Sequence, residues 1–227
     1  MKIILASASP RRRELLHQIG WDFEICVSQV EEKITKTLPW EVVEELSCQK
    51  AEDVFRRLLE NRKEEAESAV VRKASFAVAG EPVAAEAENS LLVIGADTIV
   101  ACDSRILGKP ADREDAVAML KLLQGRSHHV YTGVTLCLYR AAGEIVRSTF
   151  HEVTEVNFYP MTEEEIQWYV DSREPMDKAG SYGIQGLCAR YISGINGDYN
   201  NVVGLPVGRL YQEVQKLGGI HEESSHI

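Results

Sequence analysis

Residues 3–20 read Ile3-Ile4-Leu5-Ala6-Ser7-Ala8-Ser9-Pro10-Arg11-Arg12-Arg13-Glu14-Leu15-Leu16-His17-Gln18-Ile19-Gly20, one complete strand, loop and helix. Ile3 to Ala6 is a short apolar run that breaks at the Ser-Ala-Ser-Pro turn. From Arg11 to Ile19, Leu15, Leu16 and Ile19 fall on one helical face, and Gly20 stands where a helix would terminate. The loop between them is built of small residues and leads into a helix N-terminus, where unpaired backbone N–H groups favour an anion. Three arginines at that terminus oppose the helix dipole. A local rule broken in this way points to function, and the guanidinium fork suits phosphate oxygens.

Outward from this unit, Phe23, Ile25 and Val27 alternate as a second strand. From Pro39, Val43, Leu46, Val54, Phe55, Leu58 and Leu59 follow helical spacing to about Glu60. Asn61 to Ser90 is rich in Ala and Glu and reads as an insertion or arm. An apolar strand, Leu91 to Ile94, then runs into Gly95-Ala96-Asp97-Thr98, which places Asp97 just after the strand. Asp112 and Asp115 open a helix through Gln124, which Gly125 ends. Val130 to Tyr139 alternates, and the turn Ala141 to Gly143 leads into a strand ending near Phe158. Thr162 and Glu165 form a capping box. After the glycine-rich loop Gly180 to Gly186, Asn196-Gly197 signals a hairpin between two strands. A helix over Val207 to Lys216 closes the chain, and residues 218–227 form a polar tail. Strands that alternate with helices early and pair later indicate a mixed-sheet α/β protein.

The 227 residues suffice for one large domain. With 35 acidic against 25 basic residues the formal charge is −10, which disfavours a protein that coats nucleic acid. No apolar run approaches the roughly 20 residues that span a bilayer, so no membrane is expected. The stretch Ile3 to Leu5 is too short for a secretory signal. Five scattered cysteines fit neither a disulfide framework nor a zinc site, so reduced thiols in the cytoplasm are expected. Ser225-His226-Ile227 matches a peroxisomal Ser-Lys-Leu address at only one of three positions.

Several side chains suit phosphate chemistry. Asp97 could hold a divalent metal or take a proton from water. Lys50, Lys109 in Gly108-Lys109-Pro110, and Lys178 are candidate cations. Gln185, set between tight turns, could present its amide to a base edge. His128 and His129 lie at a strand start facing opposite ways and read as structural. Neither a P-loop, a G-x-G-x-x-G fingerprint nor a G-x-S-x-G elbow occurs.

Six stretches carry a resemblance: Leu5-Ala6-Ser7-Ala8-Ser9-Pro10-Arg11-Arg12, Ile94 to Val100, Gly108-Lys109-Pro110, Tyr131-Thr132-Gly133-Val134, Asp177 to Gly186, and Asn201-Val202-Val203-Gly204-Leu205-Pro206. In this order they resemble the Maf family of nucleoside triphosphate pyrophosphatases, related in fold to the inosine-triphosphate pyrophosphatases. The resemblance implies an elongated mixed sheet with flanking helices in two lobes around a nucleotide cleft, within a single domain over residues 1–217. It implies hydrolysis of the α–β phosphate bond with Mg²⁺, or Mn²⁺ or Co²⁺, and suggests a homodimer. Carried over by position, Asp97 is the general base, Ser7, Arg11, Arg12, Lys50 and Lys109 surround the phosphates, and Glu32 joins Asp97 at the metal. Arg11, Thr98 and Gln185 match positions tied to substrate choice, in the pattern of the branch acting on dTTP and UTP. The family's link to septum formation leaves a non-catalytic nucleotide-binding regulator of cell division as the alternative.

Overall fold

The computed structural model describes residues 1–74 and 90–218, with residues 65–74 described by backbone alone. The elements run β1 (Lys2–Leu5), α1 (Pro10–Gln18), β2 (Glu24–Ile25), α2 (Pro39–Ala74), β3 (Leu91–Cys102), β4 (Arg105–Leu107), α3 (Arg113–Leu123), β5 (Ser127–Tyr139), β6 (Ile145–Phe158), α4 (Glu163–Asp171), β7 (Ile192–Asn196), α5 (Tyr199–Val203) and α6 (Val207–Lys216). One sheet collects the strands in the order β2-β1-β3-β5-β6-β7, with β4 also paired to β3. Only β1 runs parallel to its neighbours β2 and β3; the other pairings are antiparallel. The mixed α/β expectation holds, with an antiparallel majority.

Strand periodicity divides the core between the two faces of the sheet. Ile3, Leu5, Leu92 and Ile94 pack with α1, α5 and α6 on one face, while Ile4, Leu91 and Val93 pack against Val54 and Phe55 of α2 on the other. Burial on both faces explains why β1 and the start of β3 read as unbroken apolar runs. A separate cluster beyond the midpoint of β3 joins Val100, Leu107 and Leu120 to Ile166, Tyr169 and Tyr182.

The backbone of α2 lies directly on the sheet. A Cβ on Gly95 would stand 2.4 Å from the Ser47 carbonyl oxygen, and one on Gly133 would stand 2.2 Å from that of Val43. Beside these contacts the Ser47 hydroxyl shares a buried hydrogen bond with Thr135 at 2.9 Å.

Four expectations need correction. Asp97 does not follow a strand but lies inside β3, paired with Gly133 of β5; the polar residues there interrupt the apolar pattern, not the backbone ladder. Helix α2 continues past Glu60 to Ala74, because Ala, Glu, Lys and Arg are good helix formers. The rest of the expected insertion, residues 75–89, lies outside the described residues, as do residues 219–227 of the tail with its C-terminal tripeptide. The second strand keeps only Glu24 and Ile25. At Asn196-Gly197 the chain does turn, with Gly197 at φ 131°, but Asp198 then caps α5 by accepting from Asn200 N–H at 2.8 Å, so a helix follows where a strand was expected. The short β4 was not anticipated; it returns through Asp103 and Ser104, both at positive φ. The Thr162–Glu165 capping box is present.

Beside that separate cluster His128, 1% exposed, meets Phe158 and Tyr182 edge to face at ring distances of 5.0 and 5.2 Å. Its Nε2 lies 2.8 Å from the Tyr182 hydroxyl. Burial, with a smaller contribution from His129, pulls its imidazole down from 6.5 to about 3.

Gly133→Ala should lower the unfolding free energy by about 1–3 kcal/mol and the melting temperature by several degrees. Gly194→Ala, where an added Cβ meets nothing within 4 Å, should stay within about 0.5 kcal/mol of the parent; equal melting points for the two variants would refute the close approach. Between pH 6.5 and about 3 the unfolded chain binds a proton at His128 that the folded chain refuses. Stability from this group is therefore complete above that window and falls on acidification through it, by up to about 1.4 kcal/mol per pH unit. His128→Phe should remove this component of the slope, read from urea midpoints between about pH 7 and pH 4.

Candidate active site

β1 pairs with Lys2 to Leu5 against Leu91 to Ile94, and β4 pairs with β3 only from Val100. Between them Gly95 to Ile99 pair on the β5 side alone. A cleft of about 1010 Å³ opens over this free edge, where the chain leaves β1 for α1, a topological switch of the kind that holds ligands. All the expected positions line it: Ser7, Arg11, Arg12, Glu32, Lys50, Asp97, Thr98, Lys109 and Gln185.

Alternation along β3 turns Asp97 toward α2 and Thr98 toward α1. On the α2 side, Lys50 Nζ contacts Asp97 Oδ1 and lies 3.1 Å from Glu32 Oε1. One ammonium thus bridges two carboxylates. Lys50 and Asp97 are shielded, with side chains 16% and 15% exposed, whereas the Glu32 side chain is 49% exposed.

Glu32 reaches this position on a strap that runs along α2 without regular structure. Asp53 accepts from the Ser28 hydroxyl and the Gln29 N–H, each at 2.9 Å. Gln49 accepts from the Lys33 N–H at 2.9 Å and donates to its carbonyl at 2.6 Å. Glu45 accepts from the Thr35 N–H at 2.8 Å. Positions 45, 49 and 53 recur every four residues and so share one face of the helix. Sequence reading missed this ladder because its polar residues resemble any solvated helix face.

On the α1 side, Ser9 caps the helix, and no acidic residue occupies its first turn. Arg12 donates to Ser7 Oγ at 3.0 Å, to Thr98 Oγ1 at 3.0 Å and to the Gly204 carbonyl at 2.8 Å. Thr98 Oγ1 lies 2.9 Å from Thr132 Oγ1, which donates to the Asn201 carbonyl at 3.0 Å. Burial pulls the Arg12 guanidinium down, and the charge of Asp97 opposes that shift. Arg11 instead crosses the cleft to Asp177, 3.2 Å away. Burial alone would raise the Asp177 carboxyl, but Lys178 and Arg11 outweigh it and hold it below the usual range. Lys178 is thus engaged by Asp177 at 2.6 Å. Lys109 and Gln185 are exposed at the cleft. Thr132, Asn201 and Asp177 were not singled out as site residues, although each lies in one of the matching stretches.

Among the described residues no group of three His, Cys, Asp or Glu side chains could hold a metal ion. Two carboxylates, Glu32 and Asp97, converge on the Lys50 ammonium. That donor set fits Mg²⁺, which takes one or two protein carboxylates and completes its shell with water and substrate phosphate.

The chain matches the family model described as "Maf-like protein" over residues 2–217. A dTTP/UTP pyrophosphatase of Agathobacter rectalis is 52% identical, covering 96% of this chain and 98% of that one. Proteins of the same description from Lachnoclostridium phytofermentans and Carboxydothermus hydrogenoformans are 44% and 46% identical, each covering 96% of this chain and 95% and 100% of their own. Among solved structures, a nucleoside-triphosphatase/dITP/XTP pyrophosphatase from Mycobacterium abscessus overlaps 96% of each chain at 13% identity, with a TM-score of 0.33, too loose a superposition to establish a common fold. A family model that runs almost end to end, joined by relatives close to half identical over nearly their full lengths, places the chain in the Maf family.

Proposed function

We propose that the protein is a nucleoside triphosphate pyrophosphatase that cleaves the α–β phosphate bond of dTTP and UTP, releasing the monophosphate and pyrophosphate. The observation that carries this reading is the Lys50 ammonium bridging Asp97 and Glu32 in the same cleft as Arg11, Arg12 and Lys109. A binding-only regulator of cell division has no use for two carboxylates converging beside phosphate-binding cations. The curated relatives described as dTTP/UTP pyrophosphatases support the same substrate class.

The anionic triphosphate enters over the α1 N-terminus, where the Ser7 hydroxyl, Arg11 and Lys109 meet its oxygens and Arg12 holds the floor. Arg11 exchanges Asp177 for phosphate. Asp97 orients a water and takes its proton; the water oxygen bonds to one of the two phosphorus atoms of the α–β bridge, the bond from that phosphorus to the bridging oxygen breaks, and the electron pair stays on that oxygen as monophosphate and pyrophosphate separate. Lys50 and Lys109 meet the charge that develops. A divalent cation, which Glu32 and Asp97 would hold, supplies Lewis-acid neutralisation of the phosphate oxygens. Gln185, from the opposite wall, offers both a donor and an acceptor to a pyrimidine edge. Five free cysteines support a reducing, cytoplasmic setting, and among the described residues no helix is long and apolar enough to cross a membrane.

Pyrophosphate release from a panel of nucleoside triphosphates, with and without Mg²⁺, tests the reading. Fastest turnover on dTTP and UTP, abolished by chelator and restored by the cation, is expected; saturable binding with no turnover on any nucleotide would leave the regulator. Asp97→Asn should lower kcat by about 10²–10⁴-fold while nucleotide binding persists, and an unchanged kcat would remove Asp97 from the chemistry. Lys109→Ala should lower kcat/KM by about tenfold or more, the scale of a charge-assisted hydrogen bond.

A further inference from the structure

The loop Gly183-Ile184-Gln185-Gly186 forms one wall of the cleft, and the Gln185 amide is exposed there. What holds the loop lies behind it, in residues 169–178. Glu174 takes both ends. Its Oε2 accepts from the backbone N–H of Leu187 at 2.9 Å. Its Oε1 accepts from the Tyr169 hydroxyl at 2.9 Å, and that hydroxyl accepts in turn from the Gly183 N–H at 3.2 Å. Tyr169 is fully buried, and burial pushes its phenol far above its ordinary value, so it remains a donor.

The loop's glycines let its backbone approach Glu174 and Lys178 closely. A Cβ on Gly186 would stand 2.2 Å from Glu174 Oε1, and one on Gly183 would stand 2.7 Å from the Cε of Lys178. Lys178 Nζ in turn donates to the Glu174 carbonyl at 2.6 Å. The chain reverses into this arrangement at Arg173, whose φ of 62° is a conformation that a β-carbon disfavours.

We propose that Glu174 is a positioning residue for base recognition, pinning both ends of the 183–186 loop so that the Gln185 amide is held ready at the nucleobase end of the cleft. The proposal rests on the pyrophosphatase reading for the identity of the base, but its geometry concerns binding alone. A loop already ordered loses little conformational freedom when a neutral base docks, whereas a loop freed at both ends must be ordered by each ligand. Most of the phosphate side stands on other elements, α1, α2, β3 and the Gly108–Pro110 turn, and it meets this segment through Arg11 at Asp177, so the two halves of a nucleotide should respond differently.

Equilibrium binding of thymidine monophosphate and of inorganic tripolyphosphate to the full chain separates these halves. Glu174→Ala should weaken monophosphate binding about tenfold and leave tripolyphosphate within about twofold. Glu174→Gln, which keeps one acceptor, should fall between Glu174→Ala and the parent. With dTTP, KM should rise while kcat stays within about threefold, the pattern of lost uniform binding. Unchanged monophosphate affinity, or equal weakening of both ligands, would overturn the proposal, as would a parent protein that binds no thymidine monophosphate. If Glu174→Ala does not fold, Tyr169→Phe cuts only the link to Gly183 and should give a smaller rise in the same constant; no rise would overturn the proposal as well. A parent protein that binds the monophosphate but hydrolyses no triphosphate retires the pyrophosphatase reading, and the binding comparison still decides the role of Glu174.

Discussion

The seating of α2 on bare backbone at Gly95 and Gly133 determines where the chemistry can stand. Side chains ordinarily stand between a helix and the sheet it packs on; two glycines remove that spacer, and main chain meets main chain. Ser47 then reaches Thr135 inside the core, and one turn further on Lys50 reaches Asp97, two residues past Gly95 on the same face of β3. The same helix carries Glu45, Gln49 and Asp53, which draw the strap inward until Glu32 meets the other side of the ammonium. A helix held one side chain farther out would separate all three charges.

The opposite wall solves a different electrostatic problem. α1 begins with arginines and no acid, an arrangement the helix dipole opposes. Arg12 meets it by turning its donors inward to Ser7, Thr98 and the Gly204 carbonyl, while Arg11 borrows a carboxylate from Asp177 across the cleft. A chain of formal charge −10 can therefore hold a concentrated patch of cations without repelling a small anion. The bulk charge acts on long polyanions, the local charge on a triphosphate.

Much of this was legible in the residues because the signals were local. The Ser-Ala-Ser-Pro loop, the Thr162 capping box and the His128/His129 alternation each follow from the geometry of a few consecutive residues. What stayed hidden was set by distant partners. Asp97 appeared to end a strand because polarity broke the pattern, yet β5 continued the ladder on one edge. Asn61 to Ala74 looked like an arm because it lacked large apolar groups, yet its residues are good helix formers. Asn196-Gly197 fitted a hairpin, and only Asp198 beyond it decided for a helix. Glu174 escaped notice because nothing in a sequence marks a carboxylate that will grip a loop nine or more residues away.

The contacts that run from Arg12 through Thr98 and Thr132 to the Asn201 carbonyl also have a fixed polarity. A guanidinium can only donate and a carbonyl can only accept, so with Thr132 spending its proton on Asn201, Thr98 must give its own to Thr132. Thr98 therefore faces the cleft as a one-way group with its proton committed and a single lone pair to spare. A ligand that hydrogen-bonds to it must bring a hydrogen of its own, such as a sugar hydroxyl or a ring N–H, because Thr98 has none left to give an oxyanion. One threonine is thereby kept from donating to a phosphate oxygen by a carbonyl two hydrogen bonds away.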